Sequence, residues 1–169
     1  MLGTAAYYGD KALFDRFLAE FQKASDKQLR QHLVAAMGSF RDPAAIKAGM
    51  NTVAEGKVPF MEGAFLLFNG QRDASTRKLA FEFLQANWDK ITSLMPSGGG
   101  FDFGSVLPQV GASYCDANSR DELSTFFKPR VDKFTGASRA LDKVIEGINL
   151  CIAKAAAQKS SVEAFLQKY

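Results

Sequence analysis

The stretch that decides the fold is Ser75 to Ile91, STRKLAFEFLQANWDKI. Ala80, Leu84, Trp88, Ile91 and Met95 recur at steps of four and three, so a helix places them in one apolar stripe. Lys78, Glu82, Gln85, Asp89 and Thr92 fall on the opposite face, and all are polar. Asp73 and Ser75 can each cap the start, and Pro96 followed by three glycines ends the pattern. This predicts one long amphipathic helix from about Asp73 to Met95, with Trp88 packed in the core.

The same grammar runs outward in both directions. Met1 to Tyr8 reads as the end of a helix. Gly9-Asp10 opens the next, which carries Leu13, Phe14, Phe17, Leu18 and Phe21. Ser25-Asp26-Lys27-Gln28 reads as a capping box before Leu29, Leu33, Ala36 and Met37, and Gly38 ends that helix. Asp42-Pro43 pairs an N-cap with proline at the first helical position, ahead of Ile46, Met50 and Val53. Pro59 opens a helix that Asn69-Gly70 closes. Beyond the glycines, Val106, Leu107 and Val110 form a short helix limited by Pro108. Ser119-Arg120-Asp121-Glu122 reads as a second capping box, and Pro129 stops its helix. Gly136 precedes a long helix with Leu141, Val144, Ile148, Ile152 and Ala155 on one side, and a separate short helix carries Val162, Phe165, Leu166 and Tyr169. No segment alternates as a strand would. Short connections force neighbouring helices antiparallel. The expected fold is therefore all-α, with two thirds or more of the residues helical, as an irregular α-α superhelix of antiparallel helix pairs of the HEAT or armadillo kind. It forms a single domain over residues 1–169 with a flexible link near 96–103.

Composition narrows the partners. A chain of 169 residues that is 47% hydrophobic and 23% charged has enough apolar material for a buried core. Its net charge of +3 is small and its basic residues are spread among acids, which argues against a nucleic-acid face. No apolar run approaches the ~20 residues that span a bilayer, and the first residues do not form a signal peptide, so the expectation is a soluble protein of unassigned compartment. Cys115 and Cys151 read as reduced, mostly buried thiols, with a disulfide between them as the alternative. The apolar side chains of the first two helices suggest an uncovered edge, and hence self-association through residues 1–24.

The order of these motifs resembles the C-terminal helical domain of zinc aminopeptidases of the aminopeptidase N and puromycin-sensitive aminopeptidase type. The segment Thr76-Arg77-Lys78-Leu79-Ala80-Phe81-Glu82-Phe83-Leu84-Gln85-Ala86-Asn87-Trp88-Asp89 carries the resemblance most strongly. Gly9-Asp10, Leu29-Arg30, Met37-Gly38 and Arg41-Asp42-Pro43 support it. So do Gly56 to Phe60 with Glu62, Phe68-Asn69-Gly70, Asp121-Glu122-Leu123 and Ile145 to Asn149. The sequence departs from the family at Asp73-Ala74-Ser75, where Asn-Pro is usual, and at Pro108 and Tyr114-Cys115-Asp116. The resemblance implies a non-catalytic domain that caps the active site of a longer enzyme and shapes access of peptide substrates. Its partners would be the parent's catalytic domain and the peptide, and no cofactor is expected in this chain, the zinc belonging to that absent catalytic domain. A free-standing helical-repeat scaffold that binds a protein partner is the alternative.

Catalytic chemistry is not legible here. The family's zinc needs His-Glu-x-x-His and a further Glu, and His32 is the single histidine, read as a flanking or partly buried structural residue. No catalytic or metal residue is assigned. Gly98-Gly99-Gly100 lacks the Lys-Ser/Thr of a phosphate loop and reads as a link between helices. Asp121 and Glu122 are read as acids at a helix start rather than a general acid and base. Arg41, Arg72 and Arg77 cluster near turns, and in the family basic side chains on the inner wall meet the far end of a peptide. An arginine fork suits a terminal carboxylate, so these three are the candidate peptide contacts. The plainer reading pairs them with nearby acids such as Asp42 or Asp73.

Overall fold

The computed structural model describes residues 1–96 and 102–168. These residues contain helices and turns and no strand, so the all-α class holds. The chain divides into two compact units, Met1–Ser97 and Gly98–Tyr169.

The first unit holds α1 (Leu2–Tyr7), α2 (Lys11–Lys23), α3 (Lys27–Met37), α4 (Pro43–Ala54), α5 (Phe60–Gly63), a 3₁₀ helix Ala64–Phe68, α6 (Leu79–Ala86) and α7 (Trp88–Ser93). Aspartates set the starts of α2, α3 and α4. Asp10, Asp26 and Asp42 accept from the backbone N–H of Leu13, Leu29 and Ala45 at 3.0, 2.7 and 2.8 Å. Each bond satisfies a donor that the first turn leaves without a partner. The cap of α3 is therefore Asp26, not Ser25. Helices pack in pairs of unequal length, α2 on α3, α1 on α3, and α2 and α6 on α4. Phe14, Phe21, Phe40, Met37, Ile46 and Met50 are fully buried between them, and the Phe14 and Phe40 rings meet edge to face with centroids 5.6 Å apart. Phe17 is buried too, so the apolar side of α2 is covered within the unit, contrary to the expectation of an open edge there. Tyr8, at 83% exposure, together with Leu2 and Tyr7, is what that end presents to solvent. Leu29 lies outside the core, at the exposed start of α3.

The expected helix from Asp73 to Met95 is not continuous. Residues 70–78 are turns, and α6 begins only at Leu79. The cause is local. Asp73 spends its carboxylate on Ser75, and Thr76 folds back to donate its hydroxyl to the Gly70 carbonyl at 2.7 Å. Gly70 has φ +83°, the left-handed conformation that favours glycine. A second break falls at Asn87, whose side-chain amide donates to the Phe83 carbonyl at 2.9 Å while its backbone leaves helical geometry. Ala80, Leu84 and Ile91 are buried, as their spacing predicts. Trp88 and Met95 are only half-buried, and both lie beyond the break at Asn87 that separates α7 from α6.

The second unit holds a 3₁₀ helix Phe103–Gly111, α8 (Ala117–Phe127), a 3₁₀ turn Val131–Lys133 and α9 (Ala137–Leu166). Residues 97–101 of the expected link, with the glycine run, lie outside the described residues. Its last members are tied down. Asp102 accepts from Gly104 N at 2.9 Å and from Thr135 N at 2.7 Å. The 103–111 segment packs on α8 and α9. A Cβ at Gly104 would lie 2.1 Å from Phe134 Cγ, so only glycine lets the two segments approach this closely. Asp116 caps α8 by accepting from Ser119 N at 2.8 Å. Ser119 is thus a buried residue within the helix rather than its cap, and Asp121 and Glu122 lie past the first turn. Gly136, with φ +80°, starts α9. This helix runs unbroken for 30 residues, merging the two helices expected at this end, since nothing between Ala153 and Ser161 is a helix breaker. Its last buried side chain is Ile148. Cys115 and Cys151 form a disulfide with Cα atoms 5.3 Å apart, not a pair of reduced thiols, and Cys151 is exposed. The separation of 36 residues hid a pairing that only the packing of α8 against α9 creates.

Candidate functional site

The three candidate arginines converge, by backbone position, on the turn at Asp73. Arg41 precedes the cap of α4 and reaches across to that turn. Its Nη2 donates to Asp73 Oδ2 at 2.7 Å, and its Nη1 donates to the Tyr7 hydroxyl at 2.5 Å. The guanidinium carbon also sits 4.9 Å from the Tyr7 ring centre. Arg72 is adjacent to Asp73 and exposed. The Arg77 backbone N–H donates to the Asp73 carbonyl at 2.9 Å, and its side chain is half-buried. Of the acids the sequence offered, Asp73 pairs with Arg41, and Asp42 is used as the cap of α4.

Asp73 is the electrostatic centre of this group. The Ser75 backbone N–H, the Ser75 hydroxyl and then the Arg41 guanidinium hold its carboxyl down from the ordinary 3.8 to about 2. Arg41 is shifted upward, first by the Asp73 hydrogen bond and then by the neighbouring Tyr7. Two of the five donors of Arg41 are engaged, and half of its side chain is exposed. The arrangement is a fixed cation at a surface turn. It can accept a carboxylate or another anion, and it offers no general base.

A second arginine, not singled out by sequence reasoning, is more deeply engaged. Arg30 of α3 donates to both carboxylate oxygens of Glu62 at 3.1 and 2.9 Å, to the Phe21 carbonyl at 3.2 Å, and lies 4.0 Å over the Phe21 ring. It closes the C-terminal end of α2 and ties α3 to α5. Both partners stand in motifs that carry the family resemblance, and that co-occurrence was the available signal. Tyr7 had no such signal, since it meets Arg41 across 34 residues.

His32 lies exposed on α3. Among the described residues, no group of three or more His, Cys, Asp or Glu side chains is placed to hold a metal ion. The residues of this chain do not fit a His-Glu-x-x-His zinc centre. Among the described residues, no helix is long and apolar enough to cross a membrane.

Comparison with known proteins agrees with the motif order. The chain is 20% identical over 133 residues to Aminopeptidase N of Lactobacillus helveticus, an alignment covering 78% of this chain and 16% of that protein. The chain thus spans a small part of the curated relative it matches. Residues 1–150 match the family described as ERAP1-like C-terminal domain. With most of its length inside that match, this chain belongs to the ERAP1-like C-terminal domain family.

Proposed function

We propose that this chain serves as the non-catalytic C-terminal domain of a zinc-dependent aminopeptidase, covering the active site and shaping the access of peptide substrates. The family match over residues 1–150 carries this reading. The likeness to an aminopeptidase N supports the choice of parent. In this reading the catalytic domain brings the zinc and the chemistry, and this chain brings a helical wall. The exposed cation at Arg41, with Arg72 and Arg77 on the same turn, is the part of that wall suited to a peptide carboxylate.

The test begins with the reading frame upstream of Met1, where a His-Glu-x-x-His helix a few hundred residues earlier is expected. In that longer enzyme, Arg41→Ala and Arg72→Ala should weaken turnover of long peptides and leave aminoacyl-arylamide turnover unchanged. The isolated chain should bind no stoichiometric catalytic zinc and cleave no arylamide. Chelator-sensitive turnover by the isolated chain would overturn the proposal.

One observation favours the second reading, a free-standing scaffold for a protein partner. Phe14, Phe17 and Phe21 are buried within the first unit, so α2 does not need a further helix to cover it. Self-association through residues 1–24 would then rest on Leu2, Tyr7 and Tyr8, and Tyr8→Lys should abolish any dimer seen by analytical ultracentrifugation.

A further inference from the structure

The second unit has a small core of its own. Its fully or nearly buried apolar side chains, among them Leu107, Val110, Leu123, Phe127, Leu141 and Ile148, all lie between residues 107 and 148. From Leu150 to Leu166 only Ile152 is other than exposed, so the outer half of α9 adds almost nothing to that core. Units of this size supply little stability from apolar burial alone and commonly depend on a covalent staple. The Cys115–Cys151 disulfide is placed to be that staple. Cys115 immediately precedes Asp116, the cap of α8, and Cys151 follows one turn beyond the last buried residue of α9. The bridged segment contains the whole of α8 and the packed half of α9. The Arg120–Asn149 hydrogen bond at 2.9 Å lies beside the bridge, and it is an exposed, uncharged-acceptor contact of little strength by comparison.

We infer that folding of the second unit is redox-conditional, the Cys115–Cys151 bridge deciding whether the unit is folded, and that the chain therefore matures in an oxidising compartment. Oxidation transfers two electrons and two protons from the two thiols to a disulfide-bearing oxidant of the glutathione class, which leaves as two thiols. Reversal by a dithiol proceeds through attack of its thiolate on one bridge sulfur and departure of the other as thiolate, leaving a mixed disulfide. The second thiolate of the dithiol then attacks its own sulfur in that bond, closes the ring and expels the first cysteine as thiolate. The exposure of Cys151 makes the bridge open to this exchange. Closing a loop of 36 residues removes enough freedom from the unfolded chain to change the folding constant roughly five-hundred- to a thousand-fold.

The test uses the whole chain, refolded in a glutathione redox buffer. Alkylation followed by mass measurement should find no free thiol, and backbone amides of α8 and the inner half of α9 should be protected from hydrogen exchange. After dithiothreitol, both cysteines should alkylate. Protection in α8 and α9 should then fall by about two to three orders of magnitude, with α3 and α4 unchanged. Cys115→Ser combined with Cys151→Ser should reproduce the reduced state without reagent. Free thiols in the redox-refolded chain would overturn the inference. So would full protection of α8 and α9 after complete reduction, or in the double variant.

Discussion

Arg30→Ala removes more from the first unit than an ordinary surface arginine would, and the structure allows the loss to be worked out. The side chain is 23% exposed and its partner Glu62 is 38% exposed, so the ion pair is only partly desolvated. A pair in that setting contributes about 1 kcal/mol, well short of a buried one. The bond from Nη1 to the Phe21 carbonyl satisfies an acceptor at the end of α2 and adds about 1 kcal/mol, with the Ala24 carbonyl at 3.5 Å a weaker second acceptor. Stacking over the Phe21 ring adds about 0.5–1 kcal/mol. Arg30→Ala should therefore cost about 2–3 kcal/mol, and Glu62→Gln, which keeps one acceptor, about 0.5–1 kcal/mol. The double variant should fall short of their sum by up to about 1 kcal/mol, because the pair is lost only once. The single Trp, Trp88, lies in the first unit, so its fluorescence in a urea titration reports that unit. The midpoint should move with the slope unchanged. A cost below about 0.5 kcal/mol for Arg30→Ala would refute the reasoning. A large cost with no coupling to Glu62 would show that the alkyl stem, and not the ion pair, holds α3 against α5.

Other expectations follow from the same geometry. Gly104→Ala should destabilise the second unit by about 1–3 kcal/mol, read by calorimetry, since the new methyl overlaps Phe134 at its Cβ and ring root and the ring cannot rotate clear. Trp88→Ala should cost about half of the ~3–5 kcal/mol of a full core truncation, because Trp88 is half-buried; an insoluble variant would contradict this. Asp73 has a depressed carboxyl, so its contribution is complete above the ordinary value near 4 and is lost as pH falls toward about 2. The stability gap between the parent chain and Asp73→Asn should accordingly be constant above pH 5 and close between about pH 4 and 2, with the midpoint of the Asp73 carboxyl checked by NMR titration.

Much of this protein was legible along the chain because helix chemistry is local. An aspartate three residues before an orphan N–H, a proline at the first turn and a glycine beyond the last each act within a few residues. The starts of α2, α4 and α9 were therefore readable at Asp10, Asp42 and Gly136 without reference to any neighbour. The period of Ala80, Leu84 and Ile91 likewise announced which face would be buried. The breaks within that same stretch were not readable. Asp73 can cap a helix or close a turn on Ser75, and the turn wins here because Thr76 reaches the Gly70 carbonyl and Arg41 arrives from 32 residues away to hold the carboxylate. The pairs that define the candidate site, Arg41 with Tyr7 and Asp73 and Arg30 with Glu62, join residues more than thirty positions apart. The same is true of the Cys115–Cys151 bridge. Such partners are chosen by which helix faces meet. That choice depends on the packing of whole side-chain surfaces, and a one-dimensional period carries the face of each helix but not the identity of the face it meets.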